Sequence, residues 1–146
     1  MKKSTFIALS LVFILLLSSC QKKEQNDMKP EPDKNITFVN EISDVDVWIL
    51  PQTQENLKTT LWGTATASGI KAGEERKIQF GEPGDDGLYI IRMIDKKGFY
   101  YSADGLTLED GYSVHISGTL LQSVTAEVTG PDGEVINTYD MFSARL

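Results

Sequence analysis

The chain has 146 residues, with 14 Lys+Arg against 21 Asp+Glu, a net charge of −7, one His and one Cys. That length suits a single domain, and the acidic balance opposes the phosphate attraction on which nucleic-acid binding depends, so no nucleic-acid partner is expected. One thiol forbids an internal disulfide, and with one imidazole it leaves too few ligands for a zinc site built from His and Cys.

The N-terminus opens with Lys2 and Lys3, continues with an apolar run over 6–17 broken only by Ser10, and reaches Leu17-Ser18-Ser19-Cys20. The run is shorter than the ~20 residues that span a bilayer as a helix, which favours a secretion signal over a permanent anchor. The four residues resemble the lipobox of bacterial lipoproteins, where small side chains leave room for a peptidase beside a lipidated cysteine. That resemblance implies cleavage after residue 19, acyl chains on Cys20, and attachment to the cell membrane or outer membrane on an extracytoplasmic side, with several chains making release very slow. Residues 20–34 hold Lys22, Lys23 and Lys29, two prolines and no aromatic or β-branched side chain, the composition of a disordered tether. Loss of residues 1–19 removes two lysines and no acid, so the mature chain is more acidic still.

From residue 35 the apolar side chains recur at intervals of two: Ile36 and Phe38; Val45, Val47 and Ile49; Ile78 and Phe80; Phe99 and Tyr101; Tyr112, Val114 and Ile116. Each run predicts a strand with one buried face. The stretch 88–94 is apolar on both faces and is expected at the centre of the sheet. Asp95-Lys96-Lys97-Gly98 and Gly130-Pro131-Asp132-Gly133 supply hairpin turns. About eight short strands without a helical period predict an all-β, antiparallel two-sheet sandwich over 35–146, immunoglobulin-like, with residues 118–146 forming a hairpin added at the C-terminus. A small open barrel is the second architecture. Segment 52–69 is long for a connection, and a short strand or turn is expected near 60–62.

Asn40, Ile49-Leu50-Pro51, Leu61-Trp62-Gly63, Ala72-Gly73-Glu74, Tyr89, Asp95 with Gly98, and Leu106 carry a further likeness. Over about 36–117 the chain resembles a family of small bacterial β-sandwich domains, found in secreted and lipid-anchored proteins, whose biochemical role is not established. The family usually has Asp after the central Tyr; here Ile90 stands there, which removes a polar group from that point. Most of the matching residues have scaffold roles, so the resemblance implies fold more than function.

His115 lies between Val114 and Ile116 and is expected on the solvated face with Ser113 and Ser117; neither G-x-S-x-G nor H-E-x-x-H occurs, and no catalysis is expected. Calcium needs six to eight oxygens, which the loops of a sandwich can supply, and Asp44, Asp46 and Asp104 are the acids expected to converge if a metal binds. Trp48 points away from Val47 and Ile49, Trp62 sits in the long segment, and Tyr100 alternates with Phe99 and Tyr101, so Trp48, Trp62 and Tyr100 are the candidate surface for a ligand or partner. The expected function is a lipid-anchored, non-catalytic binding module of the cell envelope, without a cofactor, tied to the membrane through Cys20 and meeting an envelope protein or glycan. The alternative is a calcium-dependent or carbohydrate-binding module.

Overall fold

The computed structural model describes residues 34–146 apart from 85 and 121; the leader 1–19, Cys20 and the tether to residue 33 lie outside the described residues. In chain order the elements are β1 (Lys34–Asn40), β2 (Val45–Pro51), α1 (Gln54–Lys58), β3 (Ala67–Ile70), β4 (Glu74–Phe80), β5 (Tyr89–Asp95), β6 (Phe99–Leu106), β7 (Ser113–Thr119), β8 (Ser123–Thr129) and β9 (Val135–Arg145). Among the described residues no helix is long and apolar enough to cross a membrane.

The strands form one mixed sheet in the order β3-β2-β5-β6-β9-β8-β7-β1-β4. Its pairs are antiparallel except β1 with β7. Of the inward positions predicted from period two, Ile36, Phe38, Val45, Val47, Ile49, Ile78, Phe80, Tyr101, Val114 and Ile116 are buried and join one apolar cluster with residues from every other strand, while Phe99 and Tyr112, at the strand ends, are only partly buried against it. A sheet that buries one continuous core against itself must curl, and this one is nearly a closed barrel. Its edge strands β3 and β4 are joined by a turn at Lys71, whose carbonyl accepts from the Glu74 N–H at 3.0 Å.

The all-β reading holds, and two details of it change. Residues 118–146 do contain the hairpin β8–β9, but it lies inside the sheet between β6 and β7, not outside it. Val124, Ala126, Val128 and Met141 alternate into the common core, so the hairpin supplies part of that core and cannot be a late addition to a finished one. β9 is 11 residues long and changes partner midway: Val135 to Met141 pair with β8, and Phe142 to Arg145 pair with β6. The parallel β1–β7 pair is the second change, and the long chain between those strands allows it.

Turn chemistry is as expected. Gly98 has φ +81°, which glycine adopts without a Cβ clash, and its N–H donates to the Asp95 carbonyl at 3.0 Å. Asp95 Oδ1 accepts from the N–H groups of Lys97 and Phe99, both at 2.8 Å, closing the β5–β6 hairpin.

Segment 52–69 differs from expectation. No strand forms at 60–62, where the chain bends at Thr60 and the Leu61 N–H donates to Thr59 Oγ1 at 3.1 Å; the unexpected elements of the segment are α1 and the start of β3. Thr53 caps α1 by accepting the Asn56 N–H at 3.1 Å, Glu55 stands in the first turn and Lys58 in the last, a charge order that suits the helix dipole. A helix this short gains little alone. Its stability comes from the strand beneath it, which is where the functional site begins.

Candidate functional site: an aromatic cleft over β2, β5 and β6

Because directly paired residues share a face, the register sets out the outer surface of the sheet. Trp48 pairs with Arg92, Arg92 with Ser102, and Ser102 with Phe142, giving one row. The next row runs Asp46, Ile94, Tyr100, Ala144. β5 is buried on this face as well as on the core face, with Ile90 at 0 % and Arg92 at 5 % exposure. Segment 53–63 helps cover it.

Arg92 pins that cover. Its Nη1 donates to the Thr59 carbonyl at 3.1 Å and its Nη2 to the Asn56 carbonyl at 2.7 Å, so one guanidinium satisfies carbonyls at the end of α1. Trp62 Nε1 donates to the same Thr59 carbonyl at 3.0 Å, and Trp48 Nε1 donates to the Gly63 carbonyl at 3.1 Å. Asn56 Nδ2 returns a bond to the Pro51 carbonyl at 2.8 Å. The segment is therefore held by side chains reaching up from the sheet.

The three aromatic residues singled out from the sequence meet here. Trp62 lies 5.3 Å from Trp48 at 70° and stacks on Tyr100 at 5.1 Å and 27°. Arg92 Cζ sits 5.0 Å from the Trp62 ring, a cation–π contact, and Phe142 meets Tyr100 edge-on at 6.2 Å. Beside these rings opens a cleft of about 630 Å³, lined by Trp48, Lys58, Leu61, Trp62, Arg92, Tyr100 and Leu146 among others. Leu61, Phe142 and Leu146 are 85 %, 65 % and 74 % exposed, so among the described residues the cleft and its neighbourhood carry most of the large apolar side chains left in water. Arg92 makes no ion pair among the described residues, and its Nε is buried without a partner. What lines the cleft can stack, exclude water and present positive charge.

The acids expected to converge on a metal are separated. Asp44 Oδ2 takes Lys71 Nζ and Lys96 Nζ, each at 2.9 Å, and its Oδ1 accepts the Ala72 N–H; these hydrogen bonds hold its carboxyl far below the usual carboxylate range. Asp46 Oδ1 accepts the Gly69 N–H at 2.7 Å. Asp104 pairs with Ile90, four residues along β5 from Ile94, which pairs with Asp46, a separation of roughly 13 Å at strand rise. The physical reason is register: Asp46 and Asp104 lie at opposite ends of β2 and β6, with β5 between them, and cannot share an ion. Among the described residues no group of three His, Cys, Asp or Glu side chains stands ready for a metal. His115 lies on the outer face of β7 with its Nε2 2.9 Å from Glu41 Oε1, close but out of line for a hydrogen bond.

Arg92, Lys58 and Phe142 were not singled out from the sequence. A lone arginine inside a run otherwise apolar on both faces was the available signal for Arg92, since a charge there must find partners. Nothing local marked Phe142, which reaches the site only because β9 switches partner beside it.

Compared with known proteins, the chain matches no family model, no curated protein and no solved structure.

Proposed function

We propose that this protein is a lipid-anchored, non-catalytic binding module of the bacterial cell envelope, held by acyl chains on Cys20, and that the Trp48–Trp62–Tyr100 cleft is its binding face. One observation carries the second part: aromatic side chains from β2, from segment 53–63 and from β6 converge on one concave surface edged by exposed Leu61 and Leu146. Sites of this shape, apolar with a few polar groups, are where small ligands bind. The Trp62 ring is already engaged by Tyr100, Trp48 and Arg92, which favours an apolar group entering the cleft over a sugar laid flat on a free ring face. The lipobox resemblance supports the anchor. On the same reading the two halves of the sheet, β3-β2-β5-β6 and β8-β7-β1-β4, act as the layers of an immunoglobulin-like sandwich joined through β9, in keeping with the small bacterial family the chain resembles.

Two experiments test this. Intact mass of the protein from its native membrane should start at Cys20 and carry acyl groups that Cys20→Ala removes; an unmodified thiol would remove the anchor. A photoreactive residue placed at Leu61 in cells should form adducts that the same residue at Lys77, exposed on β4, does not, and Trp62→Ala should abolish them. Equal adducts at both positions would remove the cleft as the binding face.

A further inference from the structure

Resting on the reading of the cleft as the binding face, we infer that its ligand is a small anionic amphiphile, a carboxylate carried on an apolar body. The volume of about 630 Å³ lies within the range of small-molecule pockets, whereas a protein partner would need a broader face. The apolar body is matched by Trp48, Trp62, Leu61 and Leu146.

Charge selects the head group. Lys58 and Arg92 are the charged side chains in the lining, both cationic, on a protein whose net charge is −7. Neither forms an ion pair among the described residues, although Asp44, at the neighbouring corner of β2, gathers two lysines. The acids on the same face stand outside the lining: Asp46 accepts the Gly69 N–H and Asp104 accepts the Ser102 hydroxyl at 3.4 Å. Arg92 is 5 % exposed, its two Nη atoms are spent on neutral carbonyls, and its Nε has no partner. A cation withdrawn from water without a counter-charge is costly, and an anion bound beside it lowers that cost. Lys58, exposed at the end of α1, is the cation able to reach the carboxylate, while Arg92 supplies positive potential from beneath.

The chain's two tryptophans both belong to this cleft, so their indole N–H resonances report it directly. Octanoate, octylammonium and 1-octanol, titrated at neutral pH into the mature chain carrying Cys20→Ser, share a body and differ in charge. Octanoate should shift both indole signals saturably and bind about tenfold more tightly than octanol, with octylammonium weakest. Lys58→Glu, an exposed substitution in the last turn of α1, should remove the preference for octanoate over octanol. Octanol and octanoate within about twofold of each other, or Lys58→Glu without effect, would overturn the inference while leaving the cleft as a binding face. No saturable indole shift with any of the three would overturn it too, and the Leu61 adducts would still decide the broader reading on their own.

Discussion

Arg92 and Asp95 stand three residues apart on β5, and both are at least nine-tenths buried, at 5 % and 4 % exposure. Neither is neutralised by an opposite charge among the described residues; Asp95 is met by backbone N–H groups and a hydroxyl, whereas Arg92 has carbonyls on both Nη atoms, a ring beside it and no partner for Nε. Asp95 accepts from Lys97 and Phe99, two and four residues onward in its own hairpin, and lies 3.4 Å from the Ser43 hydroxyl. Arg92 donates to carbonyls 33 and 36 residues upstream. A buried charge can thus be accommodated locally, where it shapes a turn, or across the fold, where it fastens one segment over another. Of the two, Arg92 is the one that lines the aromatic cleft.

Removing each charge should separate the two roles. Arg92→Ala orphans carbonyls at the end of α1 and strips a cation from Trp62, so unfolding by urea should show a loss of about 3 kcal/mol. Hydrogen exchange should rise through 53–63 first. A loss under about 1 kcal/mol would mean that ring packing alone holds the segment. Asp95→Ala should cost about 2 kcal/mol and speed amide exchange at Lys97 and Phe99 without disturbing the tryptophans. If the two variants expose the same amides, the distinction between local and distant satisfaction fails.

Trp62→Ala comes next, at about 1–2 kcal/mol, because it removes contacts with two rings from a half-buried position. It should also erase the near-ultraviolet circular-dichroism signal expected from indoles 5.3 Å apart. The smallest effect concerns pH. Lys71 and Lys96 hold the Asp44 carboxyl below its ordinary 3.8, so its contribution is complete above that value and declines as pH falls towards the lowered one. The stability difference between the native chain and Asp44→Asn should therefore be constant near neutrality and shrink only below the usual carboxylate range. Because this pair of contacts is solvent-exposed, added salt should reduce the difference. A difference that grows in acid would have the wrong sign for this arrangement.

Period two in the sequence determined which residues of β1, β2, β4 and β7 face the core, since one-residue slips would put every apolar side chain in water. Turn chemistry likewise placed the β5–β6 and β8–β9 hairpins, because Asp95 and Gly98, or Gly130 and Gly133, act on groups within four residues of themselves. The outward direction of Trp48 and Tyr100 was readable for the same reason. Their meeting with Trp62 was not, because it depends on Arg92 drawing segment 53–63 down by bonds to residues more than 30 positions away. Nor does alternation say where the C-terminal hairpin lies: Val124, Ala126 and Val128 would read the same at an edge or in the centre. Short-range pattern determined face and turn; pairing order, the change of partner along β9 and the cleft were decided only when distant strands closed around one core, where packing and register choose among sequences of equal local propensity.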